Sequence, residues 1–279
     1  MSNSALRYQQ NYPQSKKKTK NKTDFSQTVY AVPEKHEEER ERKLKPLVAK
    51  NDHQRETLQA FSEKQMIIQT GSAGVGKTEL ACWWASRLWL EGKVDTIVIT
   101  RPHKHLGDDY GAIRGSDAEK LLPFCMSILM KLKKQLGVGI LRNNFKMNGF
   151  DDLFSDARGI MIVPVEKIQG LSYNNRTIII ADEIQNASIS QVKALATRME
   201  EGCQLLICGD PKQTAIAGEN GLVYLTKKLE KHPHELAKVI TYTPKDNCRV
   251  GISAHMTRDR KSTRLNSSHL KLSRMPSSA

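Results

Sequence analysis

Eight residues constrain this chain more than any others: Gly71 to Thr78 read GSAGVGKT, a full match to G-x-x-x-x-G-K-[ST], directly after the apolar run Met66–Thr70. Beyond them Leu80, Trp84 and Leu88 recur every fourth residue with Ala81 and Ala85 beside them, so a helix with one apolar face is expected where the glycines stop. Strand, glycine loop and helix stand in the order that a phosphate cradle needs. Glycines let the backbone curl until successive N–H groups face one anion, and the helix amino terminus adds partial positive charge. Gly71, Ser72, Ala73, Gly74, Val75, Gly76, Lys77 and Thr78 are therefore the candidate nucleotide-binding residues. Lys77 is expected to reach the β- and γ-phosphates and Thr78 to ligate Mg²⁺. The competing reading, a glycine-rich turn with a chance lysine, does not use the flanking elements. Trp83, Trp84 and Trp89 on the helix are expected to pack rather than stack on bases.

A cradle alone hydrolyses nothing, and a second run, TIIIADE, delivers Asp182 and Glu183 at the end of an expected strand, Thr177–Asp182. In parallel sheets, sites gather beyond the carboxyl ends of strands, so these carboxylates and the glycine loop should converge. Asp182 would hold the metal, and Glu183 would orient and polarise the attacking water. The alternative is an acidic cap for a helix over Ser188–Met199. The next strand, Gln204–Gly209, runs into Gly209-Asp210-Pro211-Lys212-Gln213. Gln213 could sense a γ-phosphate, because its amide both donates and accepts; otherwise the segment is a Pro-containing turn.

Three further β-branched runs, Asp95–Thr100, Gly159–Val165 and Val239–Thr243, bring the expected strands to six. Alternation with helical patterns predicts the α/β class, a P-loop NTPase with a RecA-like parallel sheet and helices on both faces. Two polar connections, His103–Ala118 and Asn143–Arg158, interrupt the rhythm. The net charge of +14 suggests nucleic acid until it is divided along the chain: residues 1–50 carry 12 basic against 6 acidic side chains, and residues 260–279 carry 5 against none. Residues 1–50 are read as a flexible basic tail, residues 51–258 as the ATPase domain, and residues 259–279 as unstructured. That last stretch also resembles a translated sequencing-adapter tail, which implies that it is non-native. No run is long and apolar enough to span a bilayer, so no membrane partner and a cytoplasmic location are expected. Five scattered cysteines without a CxxC pair suggest buried free thiols, and His103/His105 and His232/His234 suggest exposed loop histidines rather than metal ligands.

The three motifs, with DEIQNAS at Asp182 to Ser188 and TRP at Thr100 to Pro102, collectively resemble the PhoH-like ATPase family, whose core is similar to the first motor domain of superfamily 1 helicases. The resemblance runs from about Gln54 to Arg249 and includes Asp246-Asn247-Cys248-Arg249, similar to the family's DxxR. It implies that Arg249 is an arginine finger, that Gln54 reads adenine and that Arg101 contacts a nucleic-acid backbone; the alternatives are an ordinary surface salt bridge for Arg249 and a pairing with an acidic residue in the sheet for Arg101. It also implies an ATP- and Mg²⁺-dependent enzyme acting on RNA or single-stranded DNA, helicase-like in its extended form. The chain departs from the family pattern in DEIQN for DEAQN, and in lacking an aspartate among Thr214-Ala215-Ile216. One motor domain supplies only one of the two surfaces that close on ATP in a helicase, so a head-to-tail homo-oligomer such as a ring is expected, with Arg249 completing a neighbour's site. Two alternatives stay open: a nucleotide-gated switch protein without turnover, and a small-molecule kinase. Pro244-Lys245-Asp246 lacks the spacing of [NT]KxD, which favours adenine over guanine.

Overall fold

Apolar runs become central strands only when both faces are covered, and here each run is buried almost end to end. The computed structural model describes residues 44–102, 117–146, 159–170 and 173–253. Seven strands, β1 Met66–Thr70, β2 Thr96–Arg101, β3 Phe145–Lys146, β4 Gly159–Pro164, β5 Thr177–Ala181, β6 Gln204–Gly209 and β7 Ala237–Thr241, form one sheet in the order β3-β4-β2-β5-β6-β1-β7. Every pairing in it is parallel. The helices are α1 Asp52–Glu63, α2 Lys77–Leu90, α3 Asp117–Leu136, α4 Val138–Asn144, α5 Ile189–Thr197 and α6 Gly221–Lys231.

Successive strand residues face opposite ways, so each run feeds two cores. Ile97, Ile99, Ile178 and Ile180 pack with Phe61, Leu80, Leu121, Ile128 and Leu132, under α1 to α4. Val98, Ile179, Ala181 and Ile207 pack with Val192, Leu195 and Leu222, under α5 and α6. Each such isoleucine contributes roughly 1.5–3 kcal/mol by leaving water. The expected α/β architecture with helices on both faces is the one observed.

Three details differ from expectation. The seventh strand, β3, is a two-residue edge strand inside the connection Asn143–Arg158, too short to show an apolar period. β7 starts at Ala237 rather than Val239, because this edge strand pairs with β1 over its whole length and Tyr242 N–H closes the ladder on the Thr70 carbonyl at 2.8 Å. Residues 45–50, assigned to the tail, pack on the domain: Trp83 Nε1 donates to the Lys45 carbonyl at 3.0 Å, Leu47 packs against the core, and Lys50 N–H donates to Gln54 Oε1 at 2.8 Å. The domain therefore begins before residue 50.

The tryptophans pack as expected. Trp84 stacks on Phe61 with centroids 5.8 Å apart and donates to Gln204 Oε1 at 2.7 Å, and Trp89 is buried. All five cysteines are free; four are buried, and burial pushes the Cys125 and Cys203 thiols up to about 12. Residues 1–43 and 259–279 lie outside the described residues, as do His103, His105 and most of both long connections. His232 and His234 are exposed after α6. Among the described residues no helix is long and apolar enough to cross a membrane.

Candidate functional site

β5, β6 and β1 are neighbours, and because they are parallel their carboxyl ends open on one edge of the sheet. Gly74, Lys77, Thr78, Asp182, Glu183 and Gln213 consequently line one cleft of about 350 Å³. At the loop tip Gly74 has φ 94° and a Cβ there would meet Asn247 Oδ1 at 2.8 Å, so the turn admits glycine only. Gly76, with φ 97°, caps α2 without a side-chain bond, which leaves the first N–H groups of α2 facing the cleft. Lys77 Nζ donates to the carbonyls of Gly71 at 2.6 Å and Ser72 at 3.0 Å. Burial lowers its pKa, against the pull of the anionic groups around it, Asp210, Asp182 and Glu183 among them.

Thr78 Oγ1 donates to Asp182 Oδ1 at 3.3 Å, so the two expected metal residues meet. Asp182 is only 7% exposed, and burial raises its pKa, with the Glu183 charge adding to the rise and Arg101 and Thr78 opposing it. A hydroxyl beside a buried carboxylate is an oxygen donor set that suits a hard cation such as Mg²⁺. A carboxyl whose pKa rises on folding costs stability once the pH passes its unfolded value, and this cost is absent at acid pH. Asp182→Asn in EDTA is therefore expected to raise Tm at pH 7–8 by roughly 2–4 °C, for about 1 kcal/mol. It should also flatten the parent's gain in stability toward acid pH; a lowered Tm in thermal melts would contradict this.

Among the described residues Glu183 is the one non-glycine with positive φ, at 56°. This left-handed turn costs about 1–2 kcal/mol and aims the chain sharply off the strand end. Neither carboxylate caps the following helix. Ser188 does, in a capping box with Gln191 N–H at 3.3 Å and Gln191 Oε1 at 2.7 Å, and α5 begins at Ile189.

Two site residues escaped sequence reading. Gln185 is 1% exposed; its Nε2 donates to Glu183 Oε2, and its Oε1 accepts from Asp210 N–H at 3.1 Å. It thereby ties the Glu183 carboxylate to the GDPKQ loop. Thr214 Oγ1 donates to the Gln185 carbonyl at 2.7 Å, and Ala215 N–H donates to Asn186 Oδ1 at 3.1 Å. The segment lacking the family's aspartate is thus fastened to Gln185 and Asn186, and the only sequence signal was the polar pair after Asp-Glu. Gln213 Nε2 donates to Asp210 Oδ2 at 2.7 Å at the cleft wall.

Gln54 lies beneath the loop, donating to the Val75 carbonyl at 2.8 Å and accepting from Lys50 N–H at 2.8 Å. Asp246 accepts from Thr243 N–H at 2.7 Å and faces His53 Nδ1 at 2.9 Å, while Cys248 N–H donates to the Gly74 carbonyl at 2.9 Å. This docking brings the Arg249 side chain against Gly74, into the cleft of its own chain. Arg101, at the end of β2, is half-buried; its guanidinium donates to the Phe124 carbonyl at 2.9 Å and its charge acts on Asp182.

The family model described as PhoH-like protein matches residues 46–259. Protein PhoH of Escherichia coli K12 is 30% identical over 172 residues, covering 62% of this chain and 46% of its own. Protein PhoH2 of Bacillus subtilis is 32% identical over 174 residues, covering 60% and 38%. The chain thus spans about half or less of the length of these relatives. Among solved structures, the large terminase of a thermophilic bacteriophage superposes with TM-score 0.47 at 15% identity, covering 77% of this chain and 50% of that one. The Hef helicase domain of Pyrococcus furiosus does so with TM-score 0.42 at 13% identity, covering 70% and 38%.

Proposed function

The chain belongs to the PhoH-like family, and from that membership and the cleft's geometry we propose that it hydrolyses ATP and couples hydrolysis to RNA or single-stranded DNA. The observation that carries the reading is the meeting of Thr78 and Asp182 at 3.3 Å in a cleft that also holds Lys77 and Glu183. The loop N–H groups and the α2 terminus bind the phosphates, and Lys77 exchanges its two loop carbonyls for phosphate oxygens. Thr78 and Asp182 would hold Mg²⁺, which would neutralise charge on the phosphates. Glu183 accepts a hydrogen bond from the attacking water and orients it. Gln213, released from Asp210, senses the terminal phosphate, and Gln185 relays its position to Glu183. Gln54 reads adenine by exchanging its bond to Lys50 N–H or to the Val75 carbonyl.

Arg249 reaches the phosphates within its own chain; in a head-to-tail oligomer it serves a neighbour instead. In this reading Arg101, at the carboxyl end of β2, contacts the nucleic-acid backbone.

A phosphate-release assay with ATP or GTP, each with and without single-stranded RNA or DNA, tests the reading. ATP-selective release that rises several-fold with one polymer is expected. Release unchanged by either polymer would remove the nucleic-acid half, and transfer to an added acceptor in place of release would favour the kinase. ATP binding without release in the parent would favour the nucleotide-gated switch. Sedimentation with ATP separates monomer from ring, and activity of Arg249→Ala mixed with Glu183→Gln reports whether Arg249 acts across subunits.

A further inference from the structure

One wall of the cleft comes from α3, a helix that carries none of the motifs. Ser127 and Lys131, one turn apart on it, line the same cleft as Lys77 and Thr78. Lys131 is half-buried, and its Nζ stands 4.0 Å from Glu79 Oε2, the outer limit of an ion pair. Glu79 follows Thr78 directly and has other partners: Lys134 Nζ at 3.6 Å and Gln135 Nε2 at 3.4 Å, both on Oε1. Lys131 can therefore leave Glu79 by a side-chain rotation without stranding a carboxylate.

The position of this lysine selects what it meets. In the hydrolytic reading Gln54, under Gly76, marks the base end, whereas Lys131 pairs with Glu79, the residue that follows the proposed metal ligand Thr78. Asp182, Glu79 and Lys131 line the same cleft, where α2 meets α3. In the binding mode proposed above, the terminal phosphate of a triphosphate reaches that side of the cleft, and a diphosphate lacks this charge. An ammonium there is compact and freely rotating, suited to following a phosphoryl group as its charge redistributes.

We propose that Lys131 is a catalytic cation acting within the chain on the terminal phosphate of the bound nucleoside triphosphate, held ready by Glu79. This rests on the hydrolytic reading above and names a residue outside all of its motifs. It supplies the site with a second lysine that needs no neighbouring subunit.

The test compares the full chain with Lys131→Ala, Lys131→Met, Lys131→Arg and Lys77→Ala, measuring phosphate release, affinity for ATP and for ADP, and Tm. Lys131→Ala and Lys131→Met are expected to weaken ATP about tenfold relative to ADP and to slow release by about tenfold or more, with Lys131→Arg recovering most of both. The methionine variant keeps the stem, so a fall in Tm confined to alanine identifies lost packing. Parent-like release and an unchanged ATP-to-ADP affinity ratio in Lys131→Met, with Lys77→Ala inactive, would overturn the assignment alone. A Lys77→Ala variant indistinguishable from the parent would overturn the hydrolytic reading, and Lys131 with it.

Discussion

Glu183→Gln is expected to release phosphate from ATP about 10³-fold more slowly than the parent while binding ATP almost as tightly. The substitution keeps the volume and the oxygen that accepts from Gln185, so the left-handed turn and the tie to the GDPKQ loop persist. What is lost is the negative charge and basic oxygen that orient water. Steady-state phosphate release beside equilibrium nucleotide binding separates the two effects. A variant that retains the parent's rate would show that another group positions the water. Loss of binding together with rate would show that the substitution damaged the cleft instead.

Gly71→Ala is expected to cost about 3 kcal/mol, lowering Tm by roughly 6–12 °C in a domain of this size, and to abolish nucleotide binding in what still folds. Gly71 has φ 144°, and a Cβ there would sit 2.7 Å from the Tyr242 carbonyl oxygen and 2.8 Å from Tyr242 Cβ. Tyr242 cannot yield, because its N–H donates to the Thr70 carbonyl at 2.8 Å and its hydroxyl lies 2.6 Å from Thr57 Oγ1 in the core. Relief would have to come from the loop itself, where the Gly71 carbonyl accepts from Lys77. Gly92→Ala is the control: φ is 68° there, but nothing lies within 4 Å of the added carbon, so only the backbone strain of about 1 kcal/mol is expected. Equal Tm losses for the two variants would mean that the close approach of Tyr242 contributes nothing.

Much of this site is local chemistry and was legible in the chain. Residues 71–78 carry their own conformation, since glycines set the turn and an apolar face starts α2 at Lys77. The convergence of Asp182, Glu183 and Gln213 with the glycine loop could be expected because a strand end in a parallel sheet has one place to go. Local pattern failed where a residue's role depends on a partner far along the chain. Nothing local to Arg101 names the helix carbonyl 23 residues on that its guanidinium meets. Gln185 stands in the DEIQNAS motif with no role of its own, yet its partners are Glu183 close by and Asp210 N–H 25 residues on. Lys131 sits in an ordinary amphipathic helix with no motif at all. β3 was invisible because two residues on a sheet edge bury too little to impose a period.

The chain alone determined that a phosphate cradle lies at the end of a strand and that two carboxylates end another, because backbone conformation and burial period are encoded within a few residues. Which side chains close around that cradle was decided by tertiary packing: the strand order that inserts β6 between β5 and β1, and the crossing of α3 over α2. Hydrogen bonds and charge pairs act over a few ångströms, and only the folded sheet brings Gln185 to Asp210, Arg249 to Gly74 and Lys131 to Glu79 within that range.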